Sequence, residues 1–175
     1  MTAGQPEPNL ESWAFALQLY AKPGVADACL RLQAEAGVDV MMLLTAVFAA
    51  VRRGIVLEPP AIQDMNEVCR PWREQIVQPL RGLRVALKSG PLPAPTGGSE
   101  QLRTQIKAAE LAAERLQNDL LTEWLEQKAP APRPVTHEDV RAVVCSVVLL
   151  ALEKRESEMN SDILSLVDGI VAAAG

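Results

Sequence analysis

The sequence is poor in aromatic residues, histidine and cysteine, and each shortage argues against a class of protein. Aromatic residues make up only 3% of the 175 residues, so the core must be mainly aliphatic. The single histidine, His137, cannot supply the Glu-x-x-His pairs of a di-iron bundle. The cysteines, Cys29, Cys69 and Cys145, form no CxxC pair, which argues against a disulfide framework or a metal site. We therefore expect no metal and no cofactor.

Long apolar runs and catalytic motifs are also missing. The longest apolar run, 142–152, is shorter than the roughly 20 residues of a membrane span. Residues 1–12 lack the basic and apolar regions of a signal peptide. No P-loop, GxGxxG, GxSxG or HExxH pattern occurs, and a net charge of −5 disfavours nucleic acid as a general partner. We expect a cytoplasmic protein without membrane contact, name no catalytic residue and lean towards a non-enzymatic role.

Aliphatic residues recur at helical spacing along the chain, and no segment has a clear strand pattern. This pattern predicts an all-α fold, with a compact multi-helix domain, a long antiparallel helical hairpin and a C-terminal helical pair. We expect a flexible tail over 1–9, a helical core domain over 10–128, a linker over 129–135 and a C-terminal helical extension over 136–175.

Glycine, proline and capping residues set the predicted helix ends in the first third of the chain. Pro23 and Gly24 separate a first helix from a second, and Gly37 ends the second. Asp39 is placed to cap a third helix over 40–53, which is apolar nearly all round. This third helix should therefore be the buried centre of the domain.

Two long helices, over 71–88 and 99–128, are predicted to form the hairpin. Pro71 should open the first helix, Pro79 should kink it, and Ser99 should cap the second. Apolar residues at coiled-coil spacing predict the seam on the second helix: Leu102, Ile106, Ala109, Ala113, Leu116 and Leu120. The matching face of the first helix carries Trp72, Ile76, Leu80, Leu83 and Leu87.

The C-terminal extension begins at a capping signal and is strongly apolar. Thr136 is the expected N-cap, with Asp139 three residues later. The helices predicted over 140–152 and 162–173 need apolar cover, from the core domain or from a second copy of the chain. The extension is therefore our candidate surface for a homo-oligomer.

Three separated segments carry a family resemblance: "SWAFALQLYAKPGVADACLRLQAEAGVDVMMLL", "PWREQIVQPLRGLR" and "LRTQIKAAELAAERLQ". Over roughly residues 10–128 the chain resembles a family of small proteobacterial helical proteins of unknown function. The resemblance implies a helical fold, but no activity, cofactor or site residue. It does not extend to residues 130–175.

A stripe of cations on the first hairpin helix is the best candidate for a partner-binding site. At about 100° per residue its members fall within one arc of the helix surface: Arg70, Arg73, Arg81, Arg84 and Lys88. We call this set the arginine stripe. Its simpler interpretation is a solvated face that is partly neutralised by Glu110 and Glu114.

Three functions remain open on the sequence alone. We favour a non-enzymatic interaction or adaptor protein that binds another protein through a helical groove or through the arginine stripe. A second hypothesis is a ligand sensor or enzyme whose apolar pocket is lined by Trp13, Tyr20, Met41, Met42 and Cys29. A third is a regulator that contacts nucleic acid through the arginine stripe.

Overall fold

The computed structural model describes residues 8–153 and 159–175, and the chain is helical through most of both parts. No strand occurs among these residues, which confirms the all-α fold. In chain order the elements are α1 (Pro8–Tyr20), α2 (Val25–Ala36), α3 (Val40–Arg53), α4 (Pro59–Trp72), a π-helical turn (Arg73–Val77), α5 (Gln78–Ala86), α6 (Gly97–Lys128), α7 (His137–Leu152) and α8 (Ser161–Ala174). Residues 1–7 of the predicted tail lie outside the described residues, and residues 8 and 9 belong to α1.

Helix α3 lies at the centre of the fold, as its composition predicts. Every residue from 41 to 50 is buried, and helices α1, α6 and α7 all pack against α3. Gly54 ends the helix with a φ of 67°, a left-handed conformation that favours glycine. The apolar surface of α3 therefore forms the common core of the N-terminal and C-terminal helices.

The Asp39 carboxylate joins the start of α3 to two other helices. Its Oδ1 accepts a hydrogen bond from the backbone N–H of Met42 at 3.0 Å, which confirms Asp39 as the N-cap. Its Oδ2 accepts one from Gln117 Nε2 of α6 at 2.6 Å. The same oxygen pairs with Arg73 Nη1 of the π-helical turn at 3.1 Å. One side chain thus sets the positions of three elements.

The predicted N-cap of α6 is wrong by three residues, whereas that of α7 is confirmed. The N-cap of helix α6 is Thr96. Its hydroxyl accepts a hydrogen bond from the Ser99 backbone N–H at 3.2 Å, and the Ser99 hydroxyl accepts one from the Thr96 backbone N–H at 2.7 Å. Ser99 is thus the third residue of a capping box. Thr136 and Asp139 form the same reciprocal pair at the start of α7.

The prolines of the first hairpin helix act differently from the prediction. Pro71 lies inside α4 and does not open a new helix. A π-helical turn precedes Pro79, and across it the Gln78 N–H donates to the Arg73 carbonyl. The wider turn makes room for the proline ring, which in an α-helix would clash with the carbonyl four residues back. Helix α4, the turn and α5 therefore follow one another without a break.

Only part of the predicted apolar seam of the hairpin forms, although α5 and α6 do pack together: Ala113 is buried and Leu120 is partly buried. Leu102, Leu116 and Leu83 are exposed, whereas α6 buries Glu110 and Gln117. The reason is polar pairing: α5 turns its arginines towards the glutamates of α6, and Gln117 is drawn inward by Asp39. These pairs, which a count of apolar spacing does not register, set the rotation of both helices.

The C-terminal extension packs on its own chain. Helix α7 lies against α3 and α4, and α8 lies against α2 and α7. The linker is fixed by the Arg133 N–H, which donates to the Gly54 carbonyl at 2.8 Å. A Cβ on Gly54 would stand only 2.9 Å from the Arg133 carbonyl oxygen, so this contact requires glycine. Oligomerisation through 136–175 stays a prediction.

We predict that Asp39→Ala will lower the free energy of unfolding by about 3 kcal/mol or more. The change removes a helix cap, worth about 1 kcal/mol, and leaves a mostly buried arginine without its partner, which costs more. Urea denaturation followed by circular dichroism gives the value. Asp64→Ala, on the exposed side of α4, is the matched control and should change stability by less than about 0.5 kcal/mol. Equal effects of the two substitutions would contradict the role given to Asp39.

Candidate functional site

An open groove of about 670 Å³ separates the N-terminal helices from the α5–α6 hairpin. Helices α1, α2 and α3 line one side of it, and α5 and α6 line the other. Its walls are mainly apolar: Trp13, Ala16, Leu17, Tyr20, Leu30, Val40, Met41, Leu44, Ala108 and Leu111. We call this cavity the apolar groove. Its size is within the range of about 300 to 1,000 Å³ that is typical of ligand-binding clefts.

Three leucines from three different helices are exposed in the apolar groove. Leu17 of α1 is 51% exposed, Leu30 of α2 is 53% exposed and Leu111 of α6 is 52% exposed. Single exposed leucines are ordinary, but several that line one concave surface indicate a site of interaction. The groove therefore offers an apolar surface that the described helices leave uncovered.

A second, smaller cavity of about 260 Å³ adjoins the apolar groove. We call it the polar pocket, because it is lined by many polar side chains: Gln33, Asp39, Arg73, Gln78, Arg81, Glu114 and Gln117. Five residues line both cavities, and Arg81 and Glu114 are the two charged ones among them. These two residues thus mark the border between an apolar surface and a polar one.

Two arginines of α5 and two glutamates of α6 form an ion-pair cluster at this border. Arg81 Nε lies 2.9 Å from Glu110 Oε1, and Arg81 Nη2 lies 2.8 Å from Glu114 Oε1. Arg84 binds both oxygens of Glu110, with its Nη2 at 3.2 Å from Oε1 and its Nε on Oε2. Glu110 thus accepts three hydrogen bonds, whereas the one recorded for Glu114 comes from Arg81.

The two glutamates of the cluster differ in their electrostatic environment. Burial would raise the pKa of Glu110, but the hydrogen bonds from Arg84 and Arg81 outweigh burial and lower it. For Glu114, burial dominates over the attraction of Arg81, and the nearby Glu110 carboxylate adds to it, so its pKa is raised. Glu114 is therefore the less well compensated carboxylate.

The structure pairs four of the five residues of the arginine stripe with acids. Arg70 bonds to Glu67 at 2.6 Å, Arg73 to Asp39, and Arg81 and Arg84 to the glutamates of α6. Lys88 lies exposed beyond the end of α5. This arrangement agrees with a partly neutralised face. Partner binding by Arg70, Arg73, Arg81, Arg84 and Lys88 stays a prediction.

The pocket predicted around Cys29 forms only in part. Trp13, Tyr20 and Met41 line the apolar groove, but Met42 and Cys29 do not. The Cys29 side chain is fully buried in the core, and burial raises the pKa of its thiol to about 12. Cys29 is therefore a packing residue. Burial also raises the pKa of the Tyr20 hydroxyl. The nearby Cys29 and Glu114 raise it further, whereas Arg81 lowers it.

Sequence reasoning missed two of the three groove leucines and misplaced the third. The helical spacing of Trp13, Leu17 and Tyr20 predicts that Leu17 faces inward, but this side chain is exposed in the groove. Leu30 falls outside the inward stripe of α2, and Leu111 falls outside the predicted seam of α6. In the sequence, each of these leucines stands out only as an apolar residue outside the buried face of its helix. Such residues are too common on protein surfaces to identify a site by themselves.

The fold and site together define a small all-α protein built around one buried helix, with an open groove beside a salt-bridged hairpin. Residues 11–121 match a family model described as a protein of unknown function (DUF2390), and the chain belongs to this family. Neither a curated protein nor a solved structure matches the chain significantly. None of the described helices has the length and apolar character of a membrane span.

We predict that the three thiols will not react with Ellman's reagent while the protein is folded. Cys29, Cys69 and Cys145 are all buried, and burial holds the pKa values of the first two near 12. The same sample in denaturant should release three equivalents and serves as the control. A thiol that reacts in the folded protein at the rate of a free peptide thiol would restore the chemical hypothesis for that cysteine.

We also predict that Glu110→Gln will destabilise the protein much more than Glu114→Gln at neutral pH, by about 3 kcal/mol against about 1 kcal/mol or less. Removing Glu110 leaves two arginines without their main partner, whereas removing Glu114 relieves a poorly compensated carboxylate. Urea denaturation at several pH values gives both costs.

The contributions of Glu110 and Glu114 to the free energy of unfolding should change with pH in opposite directions. The pKa of Glu110 is lowered in the folded protein, so its stabilisation is present above its usual value of 4.5 and is lost as the pH falls towards the lowered value. The pKa of Glu114 is raised, so its contribution falls as the pH rises through the raised value. Equal costs with the same pH dependence would contradict this assignment.

Proposed function

We propose that this protein is a non-enzymatic adaptor that binds an amphipathic helix of another protein in the apolar groove. The observation that carries the proposal is the convergence of Leu17, Leu30 and Leu111 on one open, concave surface. Partner recognition is the common use of such an uncovered apolar surface.

The shape of the groove favours a helical occupant over an extended one. All its walls are helices, and no sheet edge is available among the residues that the structure describes. A peptide in the groove therefore cannot gain affinity by adding a strand to a sheet. A helix instead places apolar residues at positions i, i+3 or i+4, and i+7 in such a groove, without needing backbone contacts.

The charges at the rim favour a partner helix with an acidic flank. The charged residues that line the groove are three cations, Arg81, Arg84 and Lys107, and two acids, Glu110 and Glu114, which is a formal excess of one positive charge in a chain of net charge −5. An acidic flank on the partner helix would complement this local excess. Two residues of the arginine stripe, Arg81 and Arg84, line the apolar groove, so the proposed site combines a helical groove with part of the arginine stripe.

We test the proposal with a photo-crosslinking residue, p-benzoylphenylalanine, at position 111 or, as the control, at position 116. Leu116 lies on the same helix as Leu111 and is equally exposed, 54% against 52%, but it does not line the groove. In cells of the natural host we expect a discrete protein adduct at 111 that is absent at 116. The crosslinked segment should be an amphipathic helix.

The captured partner must then bind the purified protein directly. Burial of a leucine side chain contributes about 1.5 to 3 kcal/mol, so Leu111→Glu should weaken binding by about tenfold or more, and Leu116→Glu should not. Calorimetry gives both affinities. Three results would overturn the proposal: equal adducts at both positions, an adduct with nucleic acid or lipid in place of protein, or equal affinities of the two variants.

A further inference from the structure

The border between the apolar groove and the polar pocket holds a cation that has spare hydrogen-bond donors. A guanidinium group has five N–H donors in a planar fork. Arg81 uses its Nε on Glu110 and its Nη2 on Glu114, and its Nη1 makes no hydrogen bond with any residue that the structure describes. The arginine lines both cavities, so a molecule in the groove can reach it.

The two glutamates bound to Arg81 differ in how firmly they are held. Glu110 accepts three hydrogen bonds and its side chain is only 7% exposed, so it is a fixed part of the hairpin. Glu114 receives its hydrogen bond from Arg81 alone among the described residues, and its side chain is 23% exposed. Its raised pKa agrees with weak compensation of its charge. Glu114 is therefore the glutamate that another carboxylate can displace from Arg81.

We infer that Arg81 anchors a carboxylate of the molecule bound in the apolar groove, and that this carboxylate takes the place of Glu114. The inference rests on the proposed function, because it assigns the polar contact of the same partner helix. Arg81 thereby acts as a specificity determinant: apolar residues fill the groove, and one acidic side chain sets the register at its border.

The ligand class follows from the charges around Arg81. A carboxylate can accept two parallel hydrogen bonds from the guanidinium fork, and it keeps Arg81 compensated when Glu114 leaves. An amide offers a single acceptor oxygen and no charge. A cationic group would meet Arg73 and Arg81 in the polar pocket and Arg84 and Lys107 in the groove. The other acids beside them, Asp39 and Glu110, are already hydrogen-bonded to Arg73, Arg81 and Arg84. An acidic side chain is thus favoured over a neutral or basic one.

The inference can be tested without the natural partner, by titrating the purified protein with hexanoate and with hexanamide. The two probes share an apolar chain and differ in the charge of one end. In two-dimensional NMR spectra we expect hexanoate to bind at least about fivefold more tightly and to shift the backbone signals of residues 81 and 114. Arg81→Met should abolish the preference, whereas Lys88→Met, which removes an exposed cation outside both cavities, should keep it.

A gain of affinity provides the sharper test. Glu114→Gln removes the competing carboxylate but keeps the size of the side chain, so hexanoate should bind about threefold or more tightly than to the natural chain. A merely structural role of the cluster would not produce this gain. Circular dichroism establishes that each variant is folded, and Arg81→Gln, which removes the charge but keeps a hydrogen-bond donor, replaces Arg81→Met if the latter unfolds.

Equal affinity for the two probes, a preference that persists in the Arg81 variants, or weaker hexanoate binding by Glu114→Gln would each overturn the inference. These results are separable from a failure of the proposed function. A partner captured at position 111 without any preference for hexanoate would mean that the groove binds through apolar contacts alone. A preference for hexanoate without a captured partner would mean that the site serves a small carboxylic acid.

Discussion

The contact between Asp39 and the start of α3 is the interaction on which most of this structure depends. Its carboxylate caps the buried central helix and holds Gln117 of α6 and Arg73 of the π-helical turn. A mostly buried carboxylate is stable only when its oxygens are fully hydrogen-bonded, so the three elements must meet at one point. That requirement positions the hairpin relative to the core, and the hairpin in turn forms one wall of both cavities.

The hairpin is held by polar pairs more than by an apolar seam, and this has a consequence for the surface. Because Arg81 and Arg84 turn towards Glu110, the apolar side chains of α5 are left largely exposed, with Leu83 at 54% and Val85 at 56%. On α6 the same rotation turns Leu111 towards the groove and Leu116 towards solvent. The partly buried ion pairs thus determine which apolar residues of the hairpin remain exposed.

In the proposed function, the groove and the polar pocket would divide partner recognition into two parts. Apolar contacts in the groove would supply affinity that depends little on the identity of the proposed partner, since leucine, methionine and tryptophan side chains accept many apolar shapes. A charged contact at the border discriminates, because a wrong group there leaves a charge uncompensated. Such a combination suits an adaptor that must bind one partner helix in one register.

Local signals in the sequence determined the helices, and the tertiary structure decided the site. Caps at Asp39 and Thr136, breaks at Gly37 and Gly54 and the apolar run of α3 act within a few residues, so they could be read directly. The rotation of α5 and α6 depends on ion pairs between residues about 30 positions apart, and Gln117 meets Asp39 across 78 positions. The groove joins leucines of three separate helices. Only the folded chain brings such distant residues together, because no local pattern encodes which polar side chains will pair.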